Sequence, residues 1–363
     1  MELFSLTKPQ KSICSMEQYY GGSVANITDS LLFEAPVEVQ ALQGVLNKTL
    51  EQCDSLRIRI QMQDGVPMQY ISPFAPCMFD VVGFANQAAF DSWIAKLART
   101  PFDLNGSLFK IYIFTLNGQV GIALHLHHLT ADAWTLNLLA NTIVQNLKGE
   151  ASSQGSYTDY LIEEQAYECS TRRAKDKAYF MSCFEKCSEP VYLSDKQVTN
   201  AEANRLSITI DMAASQEIQA FCDDSGLSPY ALFMNALAIY LYRVKGAQDM
   251  FIGTTVLNRA GYQAKNTPGL FINTVPALMH IDETASALEN LHQNTDGISG
   301  LFRHQKYQYN DLLIDIRPYD PAIARRVCSE GELRLLSEVA DPSRLFCRMW
   351  VARESYAKCW DVA

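Results

Sequence analysis

Two apolar runs, Leu108 to Phe114 and Val120 to Leu126, are separated by Leu116-Asn117-Gly118-Gln119. Strands this apolar must be covered on both faces, and an Asn-Gly pair accepts the positive φ angles of a tight turn, so the stretch predicts a well-buried hairpin. Beyond it, Leu136, Leu139, Ala140, Ile143 and Leu147 recur at helical spacing. The chain therefore leaves the second strand, crosses a short loop and enters an amphipathic helix. That loop holds His127-His128-Leu129-Thr130-Ala131-Asp132-Ala133-Trp134. In open α/β sheets, ligands sit where a strand ends and a helix begins.

The same grammar runs along the rest of the chain. Val39, Leu42, Leu46 and Leu50 predict a helix, Leu56-Arg57-Ile58-Arg59-Ile60 alternates as a half-buried strand does, and Asp64-Gly65 turns it back at Met68 and Tyr70. A polar stretch from Lys148 to Tyr157 forms an exposed connection, and Tyr157 to Phe184 reads as helical, bridging two lobes. Ser228-Pro229 is an N-cap followed by proline at the first helical position, with Lys245-Gly246 ending that helix. Phe251 to Val256 reads as a strand, and Gly269 to Leu278 as another after a turn at Thr267-Pro268-Gly269.

With 363 residues, 48% of them hydrophobic and 19% charged, the chain can build two cores rather than one. Thirty Lys and Arg against 40 Asp and Glu leave a formal net charge of −10, which gives no positive field for a nucleic-acid backbone. No stretch approaches the roughly 20 apolar residues of a membrane span, and the start has no apolar signal core, so a cytoplasmic protein without membrane contact is expected. The ten cysteines are scattered. Reduced thiols are expected, and Cys183 and Cys187 lack the further short-spaced pair of ligands that structural zinc uses.

His128, at the end of the strand and facing the loop, can act as a general base, since an imidazole of ordinary pKa about 6.5 is largely neutral at working pH. Strand parity puts His125 and His127 on one face and His128 on the other or in the turn, so the two motif histidines do different jobs. Asp132, at the helix start, can cap backbone N–H groups or pair with an arginine. Three other readings stay open on these residues alone: His128 as a hydrogen-bonded core histidine, a metal site made by His125, His127 and Asp132, and Arg259 as a solvated loop arginine. The metal reading lacks the further Asp-His of a hydrolytic site with H-x-H spacing.

Several segments in fixed order resemble the condensation domains of nonribosomal peptide synthetases. His127 to Trp134 is similar to the family's His-His-x-x-x-Asp-Gly core. Leu6 to Lys11, Cys53 to Arg57, Pro101-Phe102-Asp103-Leu104, Tyr157-Thr158-Asp159-Tyr160, Phe251 to Arg259, Gly269 to Pro276 and His304 to Tyr309 resemble further family motifs, covering roughly residues 5 to 316. The resemblance implies an α/β (α+β) fold of two chloramphenicol-acetyltransferase-like lobes, a V-shaped pseudo-dimer with a tunnel between them. It divides the chain into 1–165, 166–319 and a tail, 320–363. It makes His128 the catalytic residue, gives His127 a local hydrogen bond that shapes the loop, and pairs Asp132 with Arg259 from the other lobe. Ala133 and Trp134 support the motif, and Asn273 and Thr274 are candidates for the substrate side. The implied partners are donor and acceptor peptidyl carrier proteins. Each presents a thioester on a 4'-phosphopantetheine arm to a monomeric enzyme that binds no cofactor of its own.

The chain departs from the family pattern in three places. Ala133 replaces the motif glycine and adds a Cβ where the backbone lies near substrate. Cys53 stands where histidine is usual. After Leu313 the family continues much further, whereas the tail here, with Arg325-Arg326-Val327-Cys328-Ser329 and Cys347-Arg348-Met349-Trp350, does not resemble it. An incomplete second lobe with unpaired sheet edges and exposed apolar surface is therefore expected. The alternatives to condensation are another His128-dependent acyltransferase using an acyl-CoA or carrier-bound acyl group, an epimerisation domain, and an inactive fragment that binds carrier proteins.

Overall fold

The structure, a computed structural model, describes residues 2–187, 191, 206–308, 311, 334, 336 and 337. It divides into two compact units, the first running to Cys169 and taking in Leu257–Ile272, the second comprising Ser170–Val256 and the described residues from Asn273. The first unit begins with β1 (Phe4–Ser5), α1 (Lys8–Tyr20), β2 (Asn26–Leu32) and α2 (Val39–Gln52). A single 3-10 turn, Asp54–Arg57, leads into β3 (Ile58–Gln63) and β4 (Val66–Ile71), followed by β5 (Asp80–Phe84) and α3 (Gln87–Ala98). The central hairpin is β6 (Phe109–Leu116) and β7 (Gln119–His127), with α4 (Ala133–Lys148) and α5 (Tyr157–Glu168) after it.

Strands β2, β7, β6 and β5 form an open four-stranded sheet in that order, β5 parallel to β6 and the others antiparallel. Asn117 and Gly118 turn the hairpin with φ of 51° and 83°, which closes it in two residues. Alternation then sorts the side chains. Ile111, Ile113, Ile122, Leu124 and Leu126 face Leu42, Leu46 and Leu50 of α2 and Leu139 and Ile143 of α4, while Phe114, Leu116 and Ala123 face Phe90 and Trp93 of α3. Both faces of the hairpin are thus covered by helices, which accounts for its unbroken apolar runs. A smaller sheet, β1-β4-β3, lies beside a third cluster of Phe4, Ile58, Leu108, Leu129, Tyr157, Tyr160 and Phe271.

The second unit contains α6 (Thr171–Phe184), α7 (Met212–Ser225), α8 (Pro229–Lys245) and β8 (Asp249–Val256). The chain then enters the first unit with the short α9 (Gly261–Lys265) and returns as β9 (Asn273–His280) and α10 (Ala287–Arg303). β8 and β9 pair antiparallel from Asp249↔His280 to Val256↔Asn273. Their buried face, with Met250, Ile252, Val275, Ala277 and Met279, packs on Ala231, Met234, Ala238 and Leu241 of α8 and on Ile298 and Leu301 of α10. The same unit leaves Leu206, Ile208, Phe233, Tyr240 and Val244 exposed.

Four boundaries differ from expectation. The strand expected from Leu56 starts at Ile58, since Leu56 and Arg57 belong to the 3-10 turn. The helical stretch from Tyr157 to Phe184 is two helices, because Ser170 caps a new one by accepting a hydrogen bond from Arg173 N–H. The unit boundary falls in this break rather than at residue 165. The strand expected from Gly269 starts only at Asn273, since the peptide groups before it are engaged elsewhere. Gly269 N–H donates to Thr135, Phe271 N–H to Asp132, and the Leu270 and Phe271 carbonyls accept from Tyr157 and Asn258. No described helix is long and apolar enough to cross a membrane. The expectation for 320–363 lies outside the described residues, apart from positions 334, 336 and 337.

Candidate active site

The motif begins at the last residue of β7. His127 closes the strand, and the peptide groups that follow are tied down one by one: His128 N–H donates to the Ala25 carbonyl at 2.8 Å, and Thr130 donates to the His127 carbonyl through its N–H at 3.0 Å and its hydroxyl at 2.9 Å. His128 itself is half-buried, and its Nδ1 is buried without a hydrogen-bond partner. Burial holds its imidazole below the usual histidine range, and the Asp132 carboxylate and the backbone carbonyls of His128 and Ala131 oppose that shift without reversing it. At neutral pH His128 is therefore an uncharged imidazole, able to take a proton.

The other two histidines are spoken for. His127 is fully buried, accepts from Leu129 N–H at Nδ1 (3.1 Å), and places Nε2 3.2 Å from both carboxylate oxygens of Glu17. His125 lies between the Thr28 hydroxyl at 2.8 Å and the Thr100 carbonyl at 3.1 Å, stacked on Phe102, which also meets His127 edge-on. They share a face, as parity requires. Asp132 pairs elsewhere, so the three do not converge, and among the described residues no group of three His, Cys, Asp or Glu could hold a metal.

Asp132 is wholly buried and serves as both cap and ion-pair partner. Its Oδ1 accepts from Thr135 N–H at 2.9 Å, capping α4, and both oxygens lie 3.0 Å from Arg259 Nη2. Phe271 N–H donates to Oδ2 at 3.0 Å. Arg259 lies in the first unit rather than in a second lobe. Within its own segment, Leu257–Ile272, the Arg259 guanidinium bonds to the carbonyls of Ala264, Thr267 and Gly269 and lies 3.9 Å from the centre of the Phe271 ring, while the Asp132 pair and a Trp134 Nε1 bond to the Lys265 carbonyl at 2.8 Å hold the segment to the rest of the unit. Ala133 is the exposed first residue of α4. Cys53 is buried against the Gln154 side chain, and burial pushes its thiol far above the usual range.

Asn273 does not present a free amide to substrate: its Nδ2 donates to the carbonyls of Gln305 and Tyr307, at 2.8 and 2.9 Å, and so fixes the start of β9. Thr274 is half-buried and pairs across the ladder with Thr255. Sequence reasoning missed Glu17, Gln10 and Thr135. Only Gln10 had a local signal, the Thr7-x-x-Gln10 capping box of α1.

The condensation-domain family model matches residues 2–320, and the model of the 4'-phosphopantetheinyl transferase superfamily matches residues 310–363. The tail, expected to be unrelated sequence, therefore has a similarity of its own. Surfactin synthase subunit 1 of Bacillus subtilis (strain 168) is 30% identical over 333 residues, which is 86% of this chain and 9% of that protein. Bacitracin synthase 3 of Bacillus licheniformis is 23% identical over 321 residues, 86% of this chain and 5% of that one. The chain thus spans a small part of these relatives. Among solved structures, the first condensation domain of the CDA synthetase aligns with a TM-score of 0.77 at 18% identity, over 96% of both chains. A starter condensation domain of rhizomide synthetase, in complex with C8-CoA, aligns with a TM-score of 0.74 at 24% identity, over 88% of this chain and 76% of that one. These likenesses agree with the observed α+β architecture of open sheets. With the family model matching most of its length, the chain belongs to the condensation-domain family.

Proposed function

We propose that the chain condenses an acyl or aminoacyl thioester with the amine of an acceptor aminoacyl thioester, forming an amide. The amine nitrogen attacks the donor carbonyl, the C–N bond forms, the C–S bond breaks, and the proton lost by nitrogen leaves with the thiol. What carries the reading is His128: an uncharged imidazole at a strand end, its peptide bonded on either side and no side chain hydrogen-bonded to its Nδ1. An aminoacyl amine is largely protonated at neutral pH, so a neutral base held at hydrogen-bonding distance contributes by orienting the free amine and accepting its proton. Asp132 and Arg259 keep the turn in shape without touching substrate.

In this proposal the donor and acceptor arrive on the 4'-phosphopantetheine arms of two carrier proteins, and the match of the tail to a phosphopantetheinyl transferase model supports a link to that arm. A CoA-borne acyl donor is the second reading, favoured by the C8-CoA complex of the rhizomide starter domain. The test loads donor and acceptor carrier proteins with aminoacyl groups, adds the chain, and reads the acceptor by mass spectrometry. A parallel arm replaces the donor with an acyl-CoA. An amide-linked acceptor in the first arm supports the carrier-bound donor, one in the second arm alone supports the CoA donor, and no amide in either overturns the assignment.

A further inference from the structure

Helix α1 reaches the His128 turn at two points. Gln10 is fully buried, and its Nε2 donates to the Leu129 carbonyl at 2.9 Å while its Oε1 accepts from Thr7 N–H at 2.8 Å. Gln69 of β4, also fully buried, bonds side chain to side chain with Gln10, at 2.7 and 2.8 Å, so the amide is held from behind. Two helical turns further on, on the same face of α1, Glu17 meets His127.

The tautomer of His127 follows from its partners. Nδ1 accepts from Leu129 N–H, so the ring proton belongs on Nε2, where the Glu17 carboxylate receives it. The Leu129 peptide is therefore gripped on both sides, its carbonyl by Gln10 and its N–H by an imidazole whose orientation Glu17 sets. His128 is the residue just before that peptide, and the only groups set against its ring to aim it are backbone carbonyls, its own and that of Ala131. Backbone position does that work.

We infer that Glu17 is a positioning residue for amide formation, acting through His127 on the peptide beside His128, with Gln10 as the second hold. The inference rests on His128 being the catalytic group. Without the carboxylate, only the Leu129 N–H bond is left to favour the Nε2–H tautomer, and the alternative places a proton on Nδ1, facing Leu129 N–H donor to donor. The turn then relaxes, and a displacement of the reacting group by about 1 Å can cost up to about 100-fold in rate.

The experiment compares Glu17→Ala and Glu17→Gln in the carrier-protein assay, with imidazole 15N spectra of the histidine-labelled protein without substrate, His127 being assigned by substitution among the six histidines. E17A should lower kcat by about 10- to 100-fold at unchanged KM, and the His127 signals should lose the Nε2–H pattern. E17Q, whose amide oxygen can still accept from Nε2–H, should restore both. If E17A does not fold, Glu17→Asp keeps the charge but withdraws the carboxylate by one methylene; a fall in kcat at unchanged KM supports the inference, and unchanged kcat overturns it. Wild-type kcat in E17A, or an unaltered His127 tautomer, overturns it too. His128→Ala separates the two ideas. A fully active H128A removes the catalytic reading whatever Glu17 does, whereas an inactive H128A beside a fully active E17A removes only the role of Glu17.

Discussion

His128 is half-buried and no side chain is hydrogen-bonded to its Nδ1, so His128→Ala should abolish amide formation while leaving the thermal midpoint close to that of the wild type; turnover by the variant would end its assignment. Because burial lowers its pKa, the neutral form persists to more acid pH than for an ordinary histidine. The rate should be flat through neutral pH and fall on acidification with an inflection below about 6.5, and a profile bending above that value would point to another base. Asp132 is different in kind. Asp132→Ala leaves Arg259 buried without its carboxylate and the N–H groups of Thr135 and Phe271 without an acceptor. A loss of about 3–5 kcal/mol in urea unfolding is expected; a variant that loses turnover at full stability would show that the pair does not hold the site together.

At the level of elements, the strand–turn–helix around the motif and the inserted Leu257–Ile272 segment together build the site. The first was legible in sequence because each part has a local cause: the unbroken apolar run for β7, the Asp132 cap for α4, and helical spacing for its buried face. The insertion was not, since Gly269 to Ile272 look as apolar as a strand and only side chains from distant elements claim their peptide groups. Gly269 shows how tight that docking is. Its φ is +142°, and a Cβ there would lie 2.2 Å from the Tyr157 ring. Gly269→Ala should cost about 1–3 kcal/mol, with hydrogen exchange at Phe271 N–H accelerated; unchanged protection would mean that the segment can shift without loss.

Across the whole molecule, each unit has a core of its own, Leu42, Leu46, Ile113 and Ile122 in the first and Phe180, Ala238, Met250 and Val275 in the second. Leu46→Ala should destabilise the first unit by about 2–5 kcal/mol. Amides of α2 and β7 should lose exchange protection while those of β8 and α10 keep theirs, and equal loss in both would mean that the units unfold as one. The sequence by itself determined the order of motifs, the helices α2, α4 and α8 with the caps Asp132 and Ser228 of the last two, the Asn117-Gly118 hairpin and the place of His128, because these depend on residues a turn or a strand apart. Only the tertiary structure decided that Leu257–Ile272 belongs to the first unit, that the Asn273 amide fastens a strand end, and that Glu17 holds His127. Those outcomes depend on pairs such as Arg259 and Asp132, 127 positions apart, or His127 and Glu17, 110 apart. No local pattern specifies such pairs, because which distant polar group satisfies a buried one is settled only when the cores close around both.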